Sequence, residues 1–167
     1  MATTFELIQA YTVGAGGAAY IEFATIPSTY TDIKLIYSLR SDNGDDYFAL
    51  TLNGSSSSFT TRDIQGNGSN ATSANRADNL LVYTQDPSSM TSNTFSSGDI
   101  YFPNYAGSTN KSFSQDTAYE NNSSGAGMAL RAGLWSNTAA ISTIRIAKAS
   151  GNFAQYSTAY LYGVKNA

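Results

Sequence analysis

Hydrophobic and polar positions alternate along this chain with a period of two. Ile33, Leu35, Tyr37 and Leu39 interleave with Lys34, Ile36, Ser38 and Arg40, while Phe48, Leu50 and Leu52 interleave with Tyr47, Ala49 and Thr51. Successive side chains of a strand point to opposite faces, so the pattern predicts half-buried β-strands. Comparable runs occur at Phe5 to Tyr11, Tyr20 to Ile26, Asn79 to Thr84, Asp99 to Pro103, Ser112 to Glu120, Met128 to Trp135, Ile141 to Ala147 and Phe153 to Val164. Turn formers separate them: Pro27, Asp42-Asn43-Gly44, Asn53-Gly54, Asn67-Gly68, Asp86-Pro87 and Gly151-Asn152. No apolar stripe at helical spacing is sustained, and only Ser136 to Ala140 offers a short helical turn.

Each such strand has one apolar face that needs a partner layer. The expected fold is therefore all-β, an antiparallel two-sheet β-sandwich, jelly-roll-like, with an immunoglobulin-like sandwich and a small Greek-key barrel as rival topologies. The expected core includes Ile21, Phe23, Ile33, Leu35, Leu50, Leu52, Leu134 and Ile146. A chain of 167 residues buries an adequate core as one domain, 1–167, with residues 1–17 available as an N-terminal arm. Gly66 to Arg76 and Pro87 to Ser97 carry few apolar residues and read as long loops, either mobile tips or surfaces ordered by a neighbour.

Composition narrows the chemistry. The chain has no histidine and no cysteine, so the usual general base and the strongest side-chain nucleophile are both missing, and an enzyme is not expected. Ser, Thr and Asn supply roughly a third of the residues, and charged residues only 13%. Hydroxyls and amides thus replace charges as solvating groups, which suits extended protein contacts of low salt sensitivity and equally suits a merely soluble β-domain. A net charge of -3, with nine Lys and Arg scattered singly, argues against nucleic acid as a partner. The apolar stretches are too short to span a bilayer and the N-terminus has no leader pattern, so no membrane partner is expected and synthesis in a cytosol is.

Several constellations invite a functional reading. Gly14-Ala15-Gly16-Gly17-Ala18-Ala19 matches G-x-G-x-x-A with Asp32 downstream, but a dinucleotide site needs a helix after the glycines. Tyr20 to Pro27 reads instead as a strand, so the glycines become a flexible hairpin connection and no cofactor is expected. Asp42, Asp45 and Asp46 are weak candidates for a calcium site, with an acidic hairpin tip the favoured reading. Asp116 with Glu120, or Glu6 with Glu22, would serve a glycosidase only at a separation of about 5 or about 9 Å across a cleft. Tyr156, Tyr160 and Tyr162 share one face of the last strand, opposite Gln155, Ser157, Ala159, Leu161 and Gly163. That tyrosine face is either core or, if exposed, a protein interface or sugar-stacking platform. Trp135 reads as a core plug.

Six segments carry a resemblance. Leu7 to Gly14 followed by Ile21-Glu22-Phe23 and Ile26 to Asp32, then Asn104-Tyr105-Ala106-Gly107-Ser108 and Leu134 to Ile141, then Gly151 to Gly163 together resemble a family of small virion structural proteins of tailed bacteriophages, including aquatic and cyanobacterial ones. The resemblance implies a β-sandwich virion component and brings no catalytic motif. Its expected role is a capsid decoration or cement protein stabilising the outer shell. The expected partners are its own copies, as a homotrimer, and the major capsid protein. The alternative is a carbohydrate- or receptor-binding tail or fibre module. Tyr105 joins Tyr156, Tyr160 and Tyr162 as interface candidates, and the outer capsid surface is the expected location. The chain shows no shaft repeat or heptad of the kind that projects a fibre tip.

Overall fold

The computed structural model describes residues 4–43, 47–82, 91–120, 122 and 126–165. Every regular element among them is a strand: β1 (Phe5–Thr12), β2 (Tyr20–Phe23), β3 (Asp32–Leu39), β4 (Tyr47–Leu52), β5 (Phe59–Gly66), β6 (Ala71–Arg76), β7 (Leu80–Val82), β8 (Ser96–Phe102), β9 (Lys111–Tyr119), β10 (Gly127–Trp135), β11 (Ile144–Ala147) and β12 (Thr158–Val164). They form an eight-stranded sheet in the order β1-β12-β3-β8-β9-β10-β5-β6 and a four-stranded sheet in the order β2-β11-β4-β7. All pairings are antiparallel.

The pairings are nested. β1 bonds β12, β2 bonds β11, β3 bonds β8 and β4 bonds β7, while β12 and β11 also bond β3 and β4. One long antiparallel ribbon has in effect been rolled over itself, which is the jelly-roll winding among the three topologies expected. The hairpins β5–β6 and β9–β10 interrupt that winding and extend the larger sheet past β8.

Alternation places the core between the sheets. Ile33, Leu35, Tyr37 and Leu39 of β3 face Phe48, Leu50 and Leu52 of β4 and Ile144 and Ile146 of β11 within one continuous apolar cluster. Tyr37 lies edge-on to Phe48 at 5.6 Å, and burial pushes its phenol up to about 12. Trp135 is 1% exposed and stacks on Phe59 at 6.2 Å, as a core plug should. Of the expected core residues, Leu134 is the exception. Its neighbours Gly133 and Trp135 turn inward, so it lies half-buried on the outer face.

Other expectations need correction. Residues 5–12 of the expected arm are the edge strand of the larger sheet, continued by Val13, whose N–H donates to the Ser157 carbonyl at 2.8 Å. The glycines of 14–17 are no hairpin, because β1 and β2 belong to different sheets. Gly17, at φ 70°, turns the chain from one sheet to the other, and β2 rather than a helix follows. Residues 136–140 form no helix. The polar stretch 66–76 is largely β6 and its turn, and 96–97 already belong to β8; 87–90 lie outside the described residues. β5 escaped the sequence pattern because its inward residues are Phe59, Thr61 and Asp63, two of them polar.

That polarity marks the interior of the extension. Asp63 and Arg131 pair at 2.5 Å with side chains 1% and 0% exposed, and Arg76 Nε reaches the same carboxylate oxygen at 3.4 Å. Gln65 donates to it at 2.9 Å. Lys111 is also buried, its ammonium donating to the carbonyls of Gly107, Thr109 and Thr138. The hairpins are thus fastened by buried ion pairs and capped polar groups in addition to the apolar contacts of Phe59, Phe113 and Trp135.

Candidate interaction surface

The outer face of the eight-stranded sheet is the most distinctive surface. Registers align its outward residues in rows across all the strands. One row runs Ala10, Tyr160, Ile36, Asp99, Asp116, Leu130, Ile64 and Ser73. On one side of it a second row joins Leu7, Tyr162, Lys34, Tyr101, Ser114, Ala132, the exposed Arg62 and Asn75. On the other side a third passes through Ser38, Ser97, Ala118 and Met128.

Nine large apolar or aromatic side chains are exposed among the described residues, and six of them, Phe5, Leu7, Ile36, Ile64, Met128 and Leu130, belong to this face. Ile64, Met128 and Leu130 are 63%, 65% and 59% exposed. The face therefore has two apolar ends. At one, Phe5 lies edge-on to Tyr162 at 6.5 Å beside Leu7, Tyr160 and Ile36. At the other, Leu130 stands directly opposite Ile64. Between them lie Asp99 and Asp116, also directly opposite each other. Lys34 pairs with Asp99 at 3.0 Å, whereas no described lysine or arginine pairs with Asp116. The outer face of the smaller sheet contrasts with this. Its exposed Tyr20 is covered by the Arg145 guanidinium 3.6 Å from the ring centroid, and Glu22 stands opposite Arg145.

The candidate tyrosines separate. Tyr160 and Tyr162 are half-buried on the outer face, opposite the buried Ala159, Leu161 and Gly163. Tyr156 precedes β12 in a turn, with φ 72° and 68% exposure, so it does not continue their row. Tyr105 is no interface residue: it is 0% exposed and its hydroxyl donates to the Pro27 carbonyl. The sandwich needs a large residue beneath that loop, which sequence spacing did not reveal.

Asp42 accepts the Asn152 backbone N–H at 2.7 Å and its side-chain amide at 3.2 Å, so its carboxylate fastens the 150–152 turn. Asp45 and Asp46 lie outside the described residues. The carboxylate pairs do not assemble. Glu6 binds Lys165 at 2.8 Å in the larger sheet while Glu22 belongs to the smaller. Asp116 and Glu120 are separated along the chain direction of β9 by roughly 13 Å, beyond glycosidase reach.

A second feature is a cleft of about 690 Å³ at the tips of the inserted hairpins, lined by residues that include Phe95, Asn67, Tyr119, Glu120 and Met128. Asn67 Oδ1 accepts the N–H groups of Ser69 and Asn70 at 3.1 and 2.8 Å, which shapes the turn at one wall. Comparison with models of known families, characterised proteins and solved structures yields no match to this chain.

The outward apolar row was the part sequence reasoning missed. A signal existed in β10, where the outward Met128, Leu130 and Leu134 alternate with the inward Ala129 and Trp135 and put large apolar residues on both faces. Such a strand has more apolar surface than one sheet face can bury.

Proposed function

We propose that this chain is a structural component of a phage virion, a capsid decoration or cement protein that binds the outer shell as a homotrimer. The supporting observation is the concentration of six exposed apolar side chains on the outer face of one sheet. Eight strands span about 34 Å, and three outward rows give a face of about 700 Å². That approaches the roughly 800 Å² per partner of a standard protein interface. Jelly rolls recur in viral coats, an analogy of fold that agrees with the resemblance of the sequence to virion proteins. In a shell of many copies, each oligomer engages several sites, and weak contacts combine into firm attachment.

Particles assembled without the chain test this reading. They are expected to form but to release DNA at lower temperature or after osmotic shock, with adsorption to cells unchanged. The hairpin-tip cleft supports a second reading, a saccharide-binding tail module, because amides, a carboxylate and aromatic rings are the groups that orient a sugar. Robust particles that fail to adsorb, or binding of host polysaccharide by the isolated protein, would select it.

A further inference from the structure

We infer that the free edge of β6 docks a second copy of this chain, paired antiparallel about a two-fold axis at Ser73, so that two eight-stranded sheets continue into one. β6 closes one end of the larger sheet. It pairs with β5 over all six residues without a bulge, from Ala71 opposite Gly66 to Arg76 opposite Thr61. The bond from the Asn67 N–H to the Asn70 carbonyl, 3.2 Å, fixes the phase of that ladder. Hydrogen-bonded and non-bonded pairs alternate between antiparallel strands, so Thr72, Ala74 and Arg76 bond β5 while Ala71, Ser73 and Asn75 turn their N–H and C=O groups away from it. All three residues are exposed, and none of the described residues bonds these six groups.

Exposed edges are usually blunted by bulges, charges or proline. The opposite edge of the same sheet is: β1 has a register shift between Leu7 and Gln9, and its Glu6 pairs with Lys165. β6 has no such protection. It is six residues without proline, and its one charged side chain, Arg76, is drawn inward to Asp63 at 3.4 Å.

The edge is complementary to itself. With Ser73 opposite the second copy's Ser73, each Asn75 meets an Ala71, and the three pairs make six main-chain hydrogen bonds. Every other antiparallel register within β6 keeps at most four. The facing side chains are small and uncharged on both faces, with Thr72 opposite Ala74 on the inner one. Like charges stay apart. Arg62, exposed on the outer face opposite Asn75, and Arg76 on the inner face each lie about 20 Å from their counterparts at ordinary strand spacings, beyond the screening length of roughly 8 Å in physiological salt. Every copy carries the same edge, so the pairing needs no further component. A three-fold ring cannot be built from it, because β6 would have to bond the bulged β1 of the next copy and close 24 strands into one barrel. The contact therefore joins one oligomer to the next and leaves the contacts within the proposed trimer elsewhere on the molecule.

The test uses the free full chain and does not involve the shell. Its mass in sedimentation is expected to rise with concentration up to about 1 mM. Ser73→Pro removes an N–H that bonds nothing within the chain, and proline is tolerated on an open edge, so its thermal midpoint should match that of the unmodified chain while self-association weakens about tenfold or more. Tyr20→Ala, on the other sheet, should associate as the unmodified chain does. The register is read by cross-linking. The chain has no cysteine, so Ser73→Cys supplies the only thiol, and two such residues about 5.5 Å apart at Cα lie within disulfide reach. Mild oxidation should link Ser73→Cys to itself, and Ala71→Cys to Asn75→Cys in a mixture but neither to itself. These exposed positions carry the test should Ser73→Pro fail to fold. A mass that does not rise with concentration, unchanged association by Ser73→Pro, or self-linking of Ala71→Cys as ready as that of Ser73→Cys would each overturn the pairing. The mass that remains in Ser73→Pro judges the proposed trimer separately: three chains would keep it, and one chain would remove it while leaving the β6 contact intact.

Discussion

Gly133 of β10 stands directly opposite Phe113 of β9, and a Cβ at Gly133 would lie 2.1 Å from the ring's Cζ. The ring has little room to yield, because Phe102 and Phe59 hold it at 5.5 and 6.4 Å. Gly133→Ala should therefore destabilise by about 1–3 kcal/mol, the usual penalty of overpacking. Gly163 is similarly covered by Tyr30, whose ring would lie 2.3 Å from an added Cβ. Removing volume has the opposite geometry and the same sign. Leu35 is fully buried, so Leu35→Ala should cost about 2–5 kcal/mol, read as a lower midpoint in chemical denaturation. An unchanged midpoint would mean that the inward face of β3 is wrongly assigned. At the acidic tip, Asp42 is already engaged by Asn152. Thermal unfolding in calcium and in chelator should agree, because a cation bound to the folded state alone would raise the transition.

At the scale of elements, the extension is held differently from the jelly roll, and pH should reveal it. Burial raises the Asp63 pKa, but hydrogen bonds from Gln65 and Arg131 and the charge of Arg131 outweigh it, leaving the carboxyl below its ordinary value. A depressed carboxylate pKa contributes stability that is present above the unfolded value of about 3.9 and is lost as pH falls from there through the folded value. Acidification should therefore open β5 and β6 first, seen as early loss of amide protection there while β3 and β11 stay protected. Uniform loss across all strands would count against a separately fastened extension. Replacing Asp63 by Ala leaves Arg131 buried without its partner and should cost about 3–5 kcal/mol at neutral pH. The same chemistry explains what the sequence concealed. β3 and β4 were legible because their inward residues are all apolar, whereas β5 turns Thr61 and Asp63 inward and β6, at the sheet edge, has no strongly apolar face. Periodicity detects apolar burial and is blind to a buried ion pair whose partners lie on different strands.

At the scale of the molecule, the candidate surface was legible only in fragments. Tyr160 and Tyr162 could be placed on one strand face, but the row that joins Tyr160 through Ile36 to Leu130 and Ile64 depends on strand order, which the local pattern does not contain. The same strand order brings the chain's ends together. β1 pairs with β12 from Phe5 opposite Val164 to Thr12 opposite Thr158, and Lys165 N–H donates to the Thr4 carbonyl at 3.0 Å. In the native connectivity this pairing closes nearly the whole chain, and contacts of such long sequence separation slow folding because loop closure precedes their benefit. Joining the termini through a short Gly-Ser linker and opening the chain in the β5–β6 turn, between Gly68 and Ser69, would make β1 and β12 a local hairpin without disturbing a core residue. The permuted protein should keep the all-β circular dichroism spectrum and refold faster in stopped-flow measurements. A permutant that folds at the original rate would place β1–β12 closure after the rate-limiting step, and one that fails to fold would mean that the β5–β6 hairpin must stay intact for the extension to form.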